Sequence, residues 1–168
     1  MGCGKSSVGR RLSELLCCPF MDLDDVIVEK EGRSIPEIFA TKGEPAFRQM
    51  ELEALKNILS ASATSLRAPL APTLILALGG GTVMTPECAQ IVHEQTLCVY
   101  LRASIETLME HLSGEAEGRP MLKGEALQER ITELMEQRSD TYEKTAHAVI
   151  DIDCMTIEAI ASQIASKA

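Results

Sequence analysis

Glycine, lysine and serine crowd together at the start of the chain, in Gly2-Cys3-Gly4-Lys5-Ser6-Ser7. Glycines let backbone N–H groups wrap phosphate oxygens, lysine reaches the outer phosphates, and a hydroxyl can ligate Mg²⁺, as in the phosphate-binding pattern G-x-x-x-x-G-K-[ST]. Only the second half of that pattern is present, because its first glycine would fall two positions before Met1. Taken alone, the run also fits a glycine-rich start to an ordinary helix. A second candidate is Asp22-Leu23-Asp24-Asp25. On a strand Asp22 and Asp24 would point to one side, so both carboxylates could face a common pocket. One could hold metal-bound water while the other accepts a proton from a hydroxyl. The plainer reading has Asp24 or Asp25 capping the next helix. Third is Gly79-Gly80-Gly81, directly after the apolar run LILAL. One glycine would serve a turn, whereas three allow a ligand to approach the backbone at the end of a strand. Last come Arg48, Arg119 and Arg138 in otherwise acidic stretches. Each suits bidentate binding of carboxylate or phosphate, and equally a solvated ion pair.

These residues need elements to hold them. Val8, Leu12, Leu15 and Leu16 recur at helical spacing, which predicts an amphipathic helix from Lys5 to Leu16, ended by Pro19. PFMDLDD reads as a short strand running into the acidic residues. DDVIVEKEG and SIPEIFATKG read as short helices stopped by glycine, with Ser34 and Glu37 at capping-box spacing. A longer helix follows from Glu44, with Phe47, Met50, Leu52, Leu55 and Leu59 on or near its inner face. Residues 60 to 73 read as a surface connection. LILAL does not alternate, so it should be covered on both faces, as in a parallel sheet. A helix from Thr85-Pro86, a strand TLCVYL, a helix over 104 to 112, a helix over about 126 to 144, a strand AVIDI and a helix from Thr156 complete the walk. Residues 113 to 125, SGEAEGRPMLKGE, suit a loop that opens and closes. Helices alternating with buried strands predict a parallel α/β sheet with right-handed crossovers, in one domain over residues 1 to 168.

Composition narrows the function classes. Sixteen Lys+Arg against 25 Asp+Glu give a formal net charge of −9, which argues against duplex binding because phosphate neutralisation supplies most of that affinity. Small anions can still be held by a few basic groups in a cleft. The 6 cysteines form no CxxC pair and no zinc-ligand cluster with the histidines, so reduced, mostly buried thiols in a cytoplasmic protein are expected. No run is long and apolar enough to cross a bilayer.

In this order, GCGKSSVGRRL, MDLDDVIVEKEGRSIPEIFATKGEPAFRQMELEAL, LALGGGTV, GRPML and the R-x-x-x-Y of Arg138 to Tyr142 resemble the shikimate kinase family across nearly the whole chain. The resemblance implies transfer of the γ-phosphoryl group of ATP, with Mg²⁺, to the 3-hydroxyl of shikimate. It also implies a three-layer α/β phosphate-loop (P-loop) kinase fold with a five-stranded parallel sheet and a mobile lid at about residues 113 to 125. Gly2, Cys3, Gly4, Lys5, Ser6 and Ser7 would then wrap ATP, with Lys5 on the phosphates and Ser6 and Asp22 at the metal. Asp24 would grip the substrate and take the 3-hydroxyl proton. Arg48, Gly79, Gly80, Gly81 and Arg138 would contact shikimate, with Phe39 and Phe47 walling the pocket. Arg119 would swing onto the nucleotide phosphates as an arginine finger. Shikimate and ATP are the partners so implied, without nucleic acid or membrane, and a monomer is expected.

The chain departs from that pattern at its start, where a hydrophobic strand and the first loop glycine are absent. Loss of a central strand would expose two strand edges and leave a void, so a natural start about ten residues upstream is expected, room for one strand and half a loop. His111 stands near a position where relatives carry an arginine on the adenine, and DIDCMT after the last strand lacks a basic residue. A gluconate-type kinase and a non-catalytic ligand-binding descendant are the alternative readings.

Overall fold

The computed structural model describes residues 2–63, 74–115 and 125–167. Helix α1 (Lys5–Leu16) buries Val8, Gly9 and Leu12 and leaves its polar face outward, as its spacing predicts. It stops before Pro19, at a left-handed Cys17 with φ 51°. There the N–H groups of Cys17 and Cys18 donate to the carbonyls of Glu14 and Ser13 and close the final turn.

Strand β1 (Phe20–Asp22) lies parallel to β2 (Ile75–Ala77), with Phe20 opposite Ile75 and Asp22 opposite Ala77. This register brings two candidate clusters together, because Asp22 and Ala77 are both terminal residues of their strands. The acidic cluster and the triple glycine therefore leave the sheet side by side, at the carboxyl ends where open α/β sheets build their sites. Helix α2 (Leu23–Glu31) starts at once and is stopped by Gly32, which takes φ 62° at the C-cap.

The two helices expected over 34–43 and from 44 onward form one element, α3 (Ile35–Ala63), broken at Gly43 by φ 80° and ψ 169°. Pro45 sits in the first turn after the break, where its missing N–H is harmless. At the start of α3 the Glu37 carboxylate accepts the Ser34 N–H at 2.8 Å and the Ser34 hydroxyl at 2.7 Å. A 3₁₀ turn, Thr82–Met84, leads into α4 (Pro86–Gln95). Strand β3 (Val99–Arg102) pairs in parallel with β4 (Ala148–Asp151). Between them run α5 (Ile105–Glu115) and α6 (Glu125–Thr145), and α7 (Ile157–Ala165) follows with the Thr156 hydroxyl accepting the Ala159 N–H.

The four strands found among the described residues form two parallel pairs, β1 with β2 and β3 with β4, rather than one sheet. An apolar cavity of roughly 110 Å³ separates them, lined by Leu78, Gly79 and Gly80 beyond β2, by Val99, Tyr100 and Leu101 of β3, and by Cys3. Helix α1 packs on α7 and β2 and so bridges the two halves. One core gathers Val8, Leu12, Leu101, Leu108, Ile131, Ile150 and Ile160. A second holds Leu23, Ile27, Ile38 and Phe47 between α2, α3 and the first pair. A third joins Leu52 and Leu55 of α3 to Val83, Cys88 and Val92.

All six cysteines are free thiols, but only Cys3 and Cys88 are buried, and Cys17 and Cys154 are exposed, which corrects the expectation that most are core residues. Burial pushes the Cys98 thiol up to about 11, so it stays protonated at neutral pH. No helix among the described residues is long and apolar enough to cross a membrane.

Candidate active site

The phosphate-loop half of the site is built by backbone. Gly2 and Gly4 take φ 69° and 68°, the left-handed region open to glycine at little cost, and between them Cys3 is driven into the core. Gly4 caps α1 without any side-chain hydrogen bond, and no acidic residue occupies the first turn. The first N–H groups of α1 and its positive dipole end are thus left facing a potential anion. Lys5 and Ser6 are half-buried there, while Ser7 is exposed.

The acidic cluster is arranged differently from the expectation. Asp22 closes β1, and it is Asp22, not Asp24 or Asp25, that caps α2, its Oδ1 accepting the Asp24 N–H at 3.1 Å. Asp24 lies in the first turn of α2 rather than on a strand, so strand alternation does not place it. The other oxygen of Asp22 accepts the Ser6 hydroxyl at 2.6 Å, tying the acidic cluster to the phosphate loop.

From the first turn of α2, Asp24 faces the triple glycine. A Cβ on Gly79 would lie 2.9 Å from Asp24 Oδ1 and 3.3 Å from Glu51 Oε1, and one on Gly81 would lie 2.4 Å from Arg48 Nη1. Neither glycine has a left-handed φ, so what these positions demand is space for charged groups against the backbone rather than conformational freedom. Gly80 contributes its carbonyl, which accepts from Arg138 Nη1 at 3.2 Å and from the Tyr142 hydroxyl. One short turn therefore gathers a carboxylate from α2, a guanidinium from α3 and a guanidinium from α6.

Glu51, which the motifs did not single out, holds this turn together. It is 1% exposed and accepts Arg48 Nη1 at 2.6 Å and the buried Thr82 hydroxyl at 2.6 Å, so both carboxylate oxygens are satisfied. A signal existed: Glu51 stands four residues from both Phe47 and Leu55, in the middle of the apolar stripe of α3, where an unpaired carboxylate would be costly. Glu44 completes the setting, accepting Arg48 Nη2 at 2.8 Å. Burial raises the Asp24 carboxyl above its usual range, and the nearby charges of Asp22 and Glu51 raise it further, while Lys5 opposes them.

Phe39 and Phe47 meet at 4.8 Å between ring centroids. Phe47 is almost wholly buried in the α2–α3 core, and Phe39 keeps more exposed surface. Arg119 lies outside the described residues, as does most of the expected lid; α5 extends to Glu115, so the first residues assigned to that loop are helical. His111 of α5 approaches the Gly2 carbonyl oxygen at 2.7 Å through Nδ1. Among the described residues no cluster of three or more His, Cys, Asp or Glu could hold a metal by itself.

A phosphate loop opening a helix beside a carboxylate-and-arginine pocket, on a parallel α/β scaffold, defines a kinase of the phosphate-loop class. The family model described as shikimate kinase matches residues 1–168. A shikimate kinase from Dictyoglomus turgidum is 36% identical over 169 residues, covering 99% of this chain and 92% of that protein. One from Thermus thermophilus is 38% identical over 167 residues, covering 99% of this chain and 85% of its own length. Among solved structures, the shikimate kinase from Acinetobacter baumannii in complex with shikimate superposes with a TM-score of 0.83 at 30% identity, over 98% of this chain and 86% of that one. The chain belongs to the shikimate kinase family.

Proposed function

We propose that this chain transfers the γ-phosphoryl group of ATP to the 3-hydroxyl of shikimate, giving shikimate 3-phosphate and ADP. The observation that carries this reading is the meeting of Asp24, Arg48 and Arg138 on the Gly79–Gly81 turn, beside β1 and the phosphate loop. A cyclic hydroxy acid needs a carboxylate grip and a proton acceptor on one wall, and that turn supplies both.

In this reading Arg48 and Arg138 hold the substrate carboxylate. Arg48 is already oriented by Glu51 and Glu44, so little side-chain entropy is lost on binding. Asp24 orients the 3-hydroxyl and accepts its proton as the new P–O bond forms and the bond from the γ-phosphorus to the ADP oxygen breaks. Lys5 and the N–H groups of Gly2 to Ser7 neutralise charge on the phosphates, and Arg119 adds a guanidinium to the transferring group. Phe39 and Phe47 contribute apolar wall.

Mg²⁺ fits the residues present, because the Ser6 hydroxyl and the Asp22 carboxylate lie 2.6 Å apart and are hard oxygen donors. A magnesium ion bound by so few protein oxygens takes its other ligands from phosphate and water. When bound, it would neutralise charge on the phosphates during transfer. The same proposal places the chain in the cytoplasm as a single-domain monomer acting without membranes or nucleic acid, and the net charge of −9 disfavours the last of these.

The test is ADP release measured with shikimate, gluconate and nucleoside monophosphates as acceptors. Turnover confined to shikimate is the expected result. Turnover with gluconate instead, or shikimate binding without ADP release, would replace this reading with a different kinase or a non-catalytic binder.

A further inference from the structure

The phosphate loop is gripped from behind by α5. His111 Nδ1 lies 2.7 Å from the Gly2 carbonyl oxygen. The next residue of that helix, Leu112, packs so tightly beneath Gly2 that a Cβ there would meet its Cγ at 2.9 Å. A carbonyl only accepts, so His111 carries its hydrogen on Nδ1. The ring is exposed, and its contact with the loop is therefore not a by-product of burial in the core.

Peptide geometry gives this contact a direction. The Gly2 carbonyl and the Cys3 N–H belong to one planar trans unit and point to opposite sides. Holding the carbonyl on α5 turns the Cys3 N–H away from α5, while the Cys3 side chain is anchored in the core and Gly4 leads into α1. We propose that His111 is a positioning residue for nucleotide binding: by holding the Gly2 carbonyl it aims the Cys3 N–H at a phosphate of ADP or ATP. This rests on the reading of Gly2 to Ser7 as the nucleotide loop and is independent of which alcohol is phosphorylated.

The experiment is calorimetric titration of the whole chain with MgADP, and separately with shikimate, for the wild type, His111→Ala and His111→Asn. Asparagine places an N–H donor where Nδ1 stands and lacks the rest of the ring. His111→Ala should weaken MgADP binding roughly three- to tenfold, the range of one lost hydrogen bond, and leave shikimate affinity and Tm unchanged. His111→Asn should recover most of that loss. Unchanged MgADP affinity in His111→Ala, an equal loss for shikimate, a failure of asparagine to recover binding, or a wild type that binds no MgADP would each overturn the proposal. A wild type that binds MgADP but does not phosphorylate shikimate would instead remove the substrate reading and leave this one standing.

Discussion

In the proposed reaction Asp24 would serve chemistry at the expense of stability. Burial, then Asp22, then Glu51 raise its carboxyl above the ordinary 3.8, so the folded chain binds that proton more tightly than the unfolded chain does. The stability this lends is complete below the unfolded value and is lost as pH rises through the raised one; at neutral pH the charge is a net burden. Asp24→Asn should therefore raise Tm at pH 7 while lowering kcat by about a hundredfold or more, the scale of a lost general base. A near-normal kcat would remove Asp24 from that role. The acid limb of the wild-type pH–rate profile should lie above the ordinary carboxylate range, because only ionised Asp24 accepts a proton. Glu51→Gln tests the same coupling from the other side. Removing a like charge should move that acid limb to lower pH, and weakening the hold on Arg48 should raise KM for shikimate by roughly three- to tenfold. An unmoved acid limb would mean that Glu51 does not act on Asp24.

At the scale of elements, the Gly79–Gly81 turn is where sequence and structure agree in kind and differ in cause. Three glycines after a buried strand were legible as a place of close approach, but the approaching groups are the chain's own Asp24, Glu51 and Arg48 as well as any ligand. Gly81→Ala should displace the Arg48 guanidinium, which a Cβ would meet at 2.4 Å, and raise KM for shikimate by about tenfold or more with a smaller effect on MgADP affinity. Equal effects on both ligands would argue for a general collapse of the turn. Helices α1, α2, α4 and α7 were legible because each depends on local spacing and caps, and the break at Gly43 because glycine punctuates a helix at that point. The roles within the acidic cluster were not. Whether Asp22 or Asp24 caps α2 depends on where β1 ends, and that is fixed by pairing with Ile75 to Ala77, far away in the chain. The burial of Glu51 was half-legible from its place in an apolar stripe, but its partner Thr82 is 31 residues distant and no local rule names it.

For the whole molecule, the consequential feature is that the two parallel pairs are joined by α1 and by side chains rather than by a continuous hydrogen-bond ladder. The site draws on both halves: Asp24 and Arg48 stand with the first pair, whereas Arg138 and His111 come from α6 and α5, packed on the second. Relative motion of the pairs would separate Arg48 from Arg138, the two arms of the proposed carboxylate grip. The cavity is lined mainly by apolar groups such as Leu78, Val99 and Leu101, with Lys5, Tyr100, Tyr142 and Thr145 as its polar lining, and it lies between two strand pairs that share no hydrogen-bond ladder. An apolar segment in extended form would satisfy both surfaces at once, supplying N–H and C=O groups to the edges and side chains to the void. At ~24 cal/mol per Å³, filling 110 Å³ is worth about 2.6 kcal/mol before any new backbone bonds are counted. For a chain of this length that corresponds to a rise in Tm of about 5–10 °C. Fusing about ten residues ahead of Met1, a Val/Ile-rich strand followed by a glycine-containing turn, should produce that rise. A Gly/Ser segment of the same length is the control, since it can reach the cavity but cannot fill it. Equal melting temperatures for the two fusions would show that the gap between the pairs does not limit stability.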